Sequence, residues 1–167
     1  WADLADYPIE DRRTLVPRRP TELCGLTIEA FAVLHATRAP TVAVKLTGDA
    51  AVLYAPDVVD IAERAAALAG VDLYVGDGVS LTQPHVRRAG GTLVGHTTIR
   101  AQLGWCREAG VTRALFTHCG REIVAGDECS LGPELARIGR ERGVDAAFAH
   151  DGLEVELAGG AAGNRAR

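Results

Sequence analysis

The stretch AGVTRALFTHCG, residues 109–120, contains the end of one element, the whole of a second and the turn after it. Gly110 is typical of the residue that follows a helix, and the apolar run 113–117 predicts a short buried strand. His118 follows that strand directly. A helix followed by a short apolar strand is typical of α/β proteins, in which the ends of strands carry the chemistry.

The neighbouring sequence continues this pattern and predicts a mixed α/β (α+β) fold. The predicted strands are β-rich runs bounded by turn residues, over 26–34, 41–46, 51–54, 72–75, 113–117, 146–150 and 153–157, the last two as a terminal hairpin. The predicted helices have apolar residues at helical spacing or end at glycine, over 57–69, 98–109 and 133–142.

Composition sets limits on the kind of protein. A length of 167 residues suits one domain, and 47% apolar with 24% charged residues is ordinary globular composition. A net charge of −4 gives no electrostatic basis for non-specific nucleic-acid binding, although a specific polynucleotide substrate stays open. Without a long apolar run or a signal-peptide pattern, we expect a soluble, cytoplasmic protein that does not enter a membrane.

The two ends of the chain carry expectations of their own. The sequence begins at Trp1 and contains no Met, so we expect a portion of a longer protein. Residues 1–157 are predicted to form one domain. The tail 158–167 lacks bulky apolar residues and is predicted to be disordered.

Four side chains that could bind a metal lie close to the ends of predicted elements. His35 and His118 each follow a strand, His96 precedes a helix, and Asp57 comes shortly after the strand 51–54. Imidazole and carboxylate ligands of this kind form zinc sites in enzymes. Taken singly, each His is as readily a structural hydrogen-bonding residue and Asp57 a helix N-cap, so only the joint pattern favours a metal.

Two further residues have alternative interpretations. Asp77, between two glycines, is either a turn residue or a supporting carboxylate that hydrogen-bonds the site without touching the metal. Cys119 resembles the nucleophile of cysteine phosphatases, but that loop needs an Arg six residues later, where this chain has Ala125. The alternative for Cys119 is a small packing residue at the turn.

The order of these features resembles that of the metallo-β-lactamase-fold metallohydrolases. VLHATRAPTVAVKL is similar to the segment of the family's third-motif histidine, AVLYAPDVVDI to the segment of the aspartate that bridges two metals, and AGVTRALFTHCG to the segment of a terminal histidine ligand. The resemblance implies that His35, Asp57 and His118 are metal ligands.

A fourth segment narrows the resemblance. GHTTIRAQLGWCREAGV is similar to the branch that contains tRNA 3′-end-processing endonucleases and small phosphodiesterases, in which a histidine before this helix lies near the scissile phosphate. In that branch His96 would be the catalytic residue. The resemblance extends over residues 20–157.

One family motif does not appear. The diagnostic H-x-H-x-D-H loop should precede His35, yet residues 1–34 contain no histidine. We therefore expect the C-terminal portion of the family's αβ/βα sandwich, without the N-terminal part of the first sheet. The missing segment, on the same chain or on a partner chain, would then complete a two-metal site and cover an apolar sheet face.

These observations lead to two functional hypotheses. In the first, the complete protein is a metal-dependent hydrolase, with zinc preferred over manganese or iron, in which a metal-activated water attacks a small-molecule or nucleotide-like ester. A phosphodiester is favoured because His96 could protonate the leaving oxygen. In the second, this chain is a non-catalytic module that folds with a partner. Under either hypothesis the chain alone is predicted to be inactive, and unstable or homo-oligomeric.

Overall fold

The structure is a computed structural model, and it describes Pro8, residues 13–37 and residues 39–157. The predicted disordered tail, 158–167, lies outside the described residues. The described residues contain ten strands and four helices. The strands are β1 Thr21–Leu23, β2 Leu26–Leu34, β3 Thr41–Thr47, β4 Ala51–Ala55, β5 Asp60–Ile61, β6 Leu73–Asp77, β7 His85–Ala89, β8 Thr92–His96, β9 Arg113–Thr117 and β10 Asp145–Phe148. The helices are α1 Arg64–Leu68, α2 Ile99–Ala109, α3 Arg121–Val124 and α4 Glu128–Arg140.

Eight of these strands form one sheet, in the order β1-β2-β3-β4-β6-β9-β10, with β5 paired to β2. The strands β1 to β4 are antiparallel neighbours, whereas β4, β6, β9 and β10 run parallel. The remaining strands, β7 and β8, pair as a separate antiparallel hairpin. Because the carboxyl ends of parallel strands meet at one edge of a sheet, the loops after β4, β6 and β9 are brought together there.

The core lies on one face of the large sheet. Phe31, Leu53, Tyr74 and Phe116 come from four different strands and are fully buried. The helices contribute residues that belong to the same buried cluster, among them Ile99, Leu103 and Cys106 from α2 and Leu135 and Ile138 from α4. Each large apolar side chain buried in this way contributes about 1.5–3 kcal/mol relative to an exposed one.

The opposite face of the sheet is apolar but less covered. The strand registers place Val44, Tyr54, Val75 and Leu115 side by side across β3, β4, β6 and β9. Successive residues of a strand point to opposite faces, so this row faces away from Leu53 and Tyr74. Tyr54 keeps 45% of its surface exposed, and the other three side chains are partly exposed. We call these four residues the apolar row.

The helix predicted over 57–69 is mostly wrong. The chain forms β5 and a turn before the short α1, whose N-cap is Glu63, so Asp57 is not a helix cap. Ile61 pairs with Val33, which extends the sheet at the end of β2. Apolar residues at this spacing are buried here by strand pairing, and helical periodicity alone does not separate the two outcomes.

The C-terminal prediction is also partly wrong. The strand β10 pairs in parallel with β9, and residues 153–157 form no strand, so there is no terminal hairpin. The hairpin β7–β8 and the short α3 were not predicted, and α4 begins at Glu128 rather than at 133. Strands β2, β3, β4 and β9 and helix α2 are confirmed within about a residue or two at each end.

Candidate metal centre

The five side chains singled out from the sequence come together at one edge of the fold. Asp57 lies two residues after β4, Asp77 is the last residue of β6, and His118 follows β9, so three adjacent parallel strands each deliver one group. His35 follows β2, and His96 ends β8 of the separate hairpin. The sheet therefore supplies four of the five groups and the hairpin supplies the fifth.

A carboxylate lies between two imidazoles in this cluster. Oδ1 of Asp57 is 3.6 Å from Nε2 of His35 and 3.5 Å from Nδ1 of His118. The ring of His96 lies between the other two rings, with centroid distances of 4.8 Å to His35 and 5.3 Å to His118. The potential ligand atoms of His35, Asp57 and His96 all lie within 4.8 Å of one another, whereas His118 is linked to this group of three through Asp57.

These distances fit a divalent metal. Nitrogen and oxygen ligands at 2.0–2.2 Å from a tetrahedral ion are about 3.4 Å apart, close to the separations around Asp57. Nδ1 of His35 is 2.9 Å from the carbonyl oxygen of Gly95, which can only accept a hydrogen bond. That contact puts the proton on Nδ1 and leaves Nε2 free as a ligand, as outer hydrogen bonds commonly do for metal-binding histidines.

The carboxylate of Asp77 is fully buried and hydrogen-bonded. Its Oδ2 accepts from the backbone N–H of Val58 at 3.0 Å and from Nδ1 of His96 at 2.7 Å, and its Oδ1 accepts from the backbone N–H of Val79 at 3.0 Å. Atoms of Asp77, His96 and His118 also lie within 4.8 Å of one another, as in a metal site. Because three donors already use the carboxylate, we interpret Asp77 as the partner of His96 rather than as a ligand.

Gln102 fixes the backbone of Asp77. Its Nε2 donates to the carbonyl oxygen of Asp77 at 2.8 Å, and its Oε1 accepts from the N–H of Asp77 at 2.9 Å. The hydroxyl of Tyr74 donates to the same Oε1 at 2.8 Å. Burial raises the pKa of Tyr74 well above its ordinary value, so the hydroxyl keeps its proton. The sequence did not single out Tyr74 or Gln102. A polar residue next to Leu103, on the apolar face predicted for this helix, was the feature that could have drawn attention to Gln102.

The turns that follow β6 and β9 pack closely against each other, and each has a glycine at the contact. A Cβ on Gly78 would lie 2.5 Å from the carbonyl oxygen of Thr117, and one on Gly120 would lie 2.2 Å from that of Val79. His118, between these contacts, has a φ of 52°, the left-handed region that few side chains adopt. In this strained conformation, Nδ1 of the imidazole lies next to the carboxylate of Asp57.

Cys119 does not have the properties of a catalytic thiol. Burial, together with the negative charge of Asp77, raises the pKa of its thiol, whereas a nucleophilic cysteine needs a lowered one. Its Sγ points to the carbonyl oxygen of Phe116 at 3.8 Å. The structure therefore favours the packing role for Cys119 over the phosphatase-like alternative.

A cavity of about 510 Å³ opens beside the cluster. Its lining residues come from the turn after β2 and from the hairpin, and they are His35, Ala36, Thr37, Arg87, Val94 and Gly95. A larger apolar cavity of about 730 Å³ lies between α1 and α2, and none of the five site residues lines it. Of these two cavities, only the smaller one is therefore lined by a residue of the site, His35.

The chain is similar in sequence to one family and in fold to several solved structures. The sequence matches the family described as "Beta-lactamase superfamily domain" over residues 2–119. The metallo-β-lactamase-fold protein YhfI from Bacillus subtilis is 18% identical, with a TM-score of 0.62, over 84% of this chain and 54% of that one. No curated protein matches the sequence.

Two other structures have the same fold. Zn²⁺-bound PqqB from Methylobacterium extorquens is 21% identical with a TM-score of 0.59, covering 87% of this chain and 56% of that one. The short form of human tRNase Z is 13% identical with a TM-score of 0.53, covering 80% of this chain and 44% of that one. The chain thus spans about half the length of these proteins.

Likeness at these identities establishes the fold and not the activity. The fold family consists mostly of metal-dependent hydrolases, and the fold implies a divalent metal. Among the described residues, none of the helices has the length and hydropathy that crossing a bilayer requires. The family match over most of the sequence, the shared fold and the cluster at the sheet edge together show that this chain belongs to the β-lactamase superfamily and has the metallo-β-lactamase fold.

Proposed function

We propose that this chain is part of a cytoplasmic metal-dependent hydrolase that cleaves an ester, with a phosphodiester as the favoured substrate. The observation that carries the proposal is the Asp57 carboxylate 3.5–3.6 Å from two imidazole nitrogens, with the His96 ring beside them. A structural hydrogen-bonding role for one histidine would not require three rings and a carboxylate at the same edge.

In this proposal His35, Asp57 and His118 hold the metal. Nitrogen and oxygen donors suit zinc, with manganese and iron as alternatives, and the zinc-bound neighbour supports the same preference. When bound, the metal lowers the pKa of a coordinated water and so supplies a nucleophile at neutral pH. Three donors leave room for further ligands, which an upstream segment or a partner chain would add to complete a two-metal site.

The role of His96 follows from its hydrogen bond. Nδ1 donates to the buried Asp77 carboxylate, so the ring is fixed and Nε2 is the atom that can carry a proton toward a substrate. We propose that Nε2 gives a proton to the leaving oxygen of the ester. A phosphodiester is favoured because the family branch that the sequence around His96 resembles has a histidine at this place near the scissile phosphate.

The alternative is a non-catalytic module, and the apolar row supports it. A sheet face that is both apolar and partly exposed is suited to packing against another chain. In that case the histidines would have no catalytic role. Metal content and hydrolysis separate the two functions.

The test uses the longest natural form of the protein that contains this chain. We expect it to purify with zinc, manganese or iron, measured by elemental analysis, and to hydrolyse bis(p-nitrophenyl) phosphate. His118→Ala should lower the rate by more than about 100-fold, since removing even an outer partner of a ligand costs 10–100-fold. His150→Ala is the matched control, because the His150 side chain is exposed and its Nδ1 contacts the backbone carbonyl oxygen of Asp151. A metal-free protein whose hydrolysis is unchanged by His118→Ala would leave only the non-catalytic module.

A further inference from the structure

We propose that Arg87, on the β7–β8 hairpin, binds a phosphate oxygen of the substrate in the cavity beside the metal-binding residues and so selects anionic esters. This inference rests on the proposed function and specifies that its substrate is negatively charged. Arg87 acts as a positioning and specificity-determining residue and takes no part in proton transfer.

The register of the hairpin places Arg87 on the same face as His96. Arg87 pairs with Val94 and His85 pairs with His96, and directly opposite residues of an antiparallel pair share a face. Positions two apart on a strand are about 7 Å apart, which is within the reach of an arginine side chain. Arg87 and Val94 both line the cavity, together with His35. The strand pairing therefore places the backbone of Arg87 close enough for its side chain to reach the site.

Arg87 is also a cation without a counter-ion. Within the part of the chain that the structure describes, no carboxylate pairs with it, whereas Arg18, Arg64 and Arg137 are all ion-paired. Its neighbour Arg88 points to the other face of the hairpin and donates to the carbonyl oxygen of Gly91 at 3.3 Å. The side chain of Arg87 is exposed and lines the cavity, so its guanidinium is accessible to a ligand there.

The cavity suits a small phosphate ester. Its volume of about 510 Å³ is in the range of known ligand sites, roughly 300–1,000 Å³. Val94 and Ala36 give it apolar wall, and Thr37 adds a hydroxyl. A guanidinium presents two parallel N–H groups that match two oxygens of a phosphate, which a lysine ammonium cannot do. The cavity is thus lined both by Arg87, whose guanidinium could bind a phosphate, and by His35 of the cluster.

Kinetics on two esters with the same leaving group tests the inference in the longest natural form of the protein. For the anionic bis(p-nitrophenyl) phosphate, we expect Arg87→Ala to raise KM by about ten-fold or more, with a smaller effect on kcat. For the neutral p-nitrophenyl acetate, KM should not change. Arg87→Lys should recover part of the loss, and Arg88→Ala, the matched control, should behave as the parent. Equal effects on both esters, or an equal effect of Arg88→Ala, would overturn the assignment.

Binding of inorganic phosphate provides a readout that needs no turnover. Calorimetric titration should show phosphate binding weakened about ten-fold by Arg87→Ala and unchanged by Arg88→Ala. This result would support the inference even if the protein proved unable to hydrolyse either ester, so failure of the proposed function is distinguishable. Phosphate binding that is the same in the parent protein and in Arg87→Ala would overturn the inference whatever the catalytic result.

Discussion

Gly76 is tightly packed against the side chains that support the site. A Cβ at this position would lie 2.4 Å from Cε1 of Tyr74 and 2.5 Å from Oε1 of Gln102. Gln102 hydrogen-bonds both backbone groups of Asp77, and the hydroxyl of Tyr74 donates to Gln102. Any side chain at residue 76 must therefore displace the groups that orient Asp77, and through it His96.

We expect Gly76→Ala to destabilise the protein by about 1–3 kcal/mol, the usual cost of overpacking a core. Gly104→Ala is the matched control, because Gly104 lies inside α2 with nothing within 4 Å of the added Cβ. That change should stabilise by about 0.5–1 kcal/mol, since alanine favours helix over glycine. Urea unfolding of the smallest stable form that contains the chain measures both. A Gly76→Ala midpoint equal to that of the parent would contradict the packing argument.

The sequence indicates the outer residues of the site better than the inner ones. His35, His96 and His118 are unusual residue types at predictable places, so their approach to Asp57 could be anticipated from strand ends. Gln102 was not singled out, because its role depends on the distance between α2 and the end of β6, which no local pattern contains. Asp77 was anticipated as either a turn residue or a supporting carboxylate, and its burial with hydrogen-bond donors around it favours the second role.

Helix α2 is the element whose start bears most directly on the site, because it begins three residues after His96. Thr98 Oγ1 accepts from the N–H of Ala101 at 3.0 Å, which caps the helix. The first two N–H groups of the helix, those of Ile99 and Arg100, donate to the carbonyl oxygens of Ser80 and Leu81. The helix start is thereby tied to the loop that follows β6.

Thr98→Ala should lower the free energy of unfolding by about 1 kcal/mol, the typical cost of losing an N-cap side chain. Thr97→Ala provides the control, because only the backbone of Thr97 is hydrogen-bonded, to the carbonyl oxygen of Val58. Thermal or urea unfolding of both variants measures the difference. Equal loss of stability in the two variants would show that the cap contributes nothing of its own.

Elements with a local signal were predictable and those set by tertiary pairing were not. The capping hydroxyl and Gly110 mark both ends of α2 in the sequence, and the structure confirms them. The residues of β5 have no such signal, because their strand form depends on pairing with Val33 and Leu34. Strand β10 misleads for a similar reason, since its partner is β9 and not the segment that follows it.

The whole molecule has one well-covered and one poorly covered sheet face. The apolar row on the second face contains Tyr54, and the chain spans only about half the length of the structures it resembles. Exposed apolar surface of this kind tends to associate in water. The expectation of a missing segment or partner chain rests on the absent H-x-H-x-D-H motif, and the uncovered face is what such a segment would cover.

We expect the 167-residue chain by itself to self-associate or to unfold readily. Tyr54→Glu places a charge in the centre of the apolar row and should raise the monomer fraction in sedimentation velocity, because association would bury that charge. Val124→Glu is the control, since Val124 is 74% exposed on α3 and lies outside the row. A soluble monomer with a cooperative thermal transition in the parent chain would contradict this prediction.

The hairpin β7–β8 has a consequence for how such a protein can diverge. It forms a sheet of its own and is joined to the large sheet by few backbone hydrogen bonds, such as the one from Gly95 N–H to the carbonyl oxygen of His35. Mutations at its tip or in β7 therefore leave the register of the other eight strands untouched. A lineage could alter the lining of the cavity through changes in β7, while the register of the large sheet and His96 on β8 stay as they are.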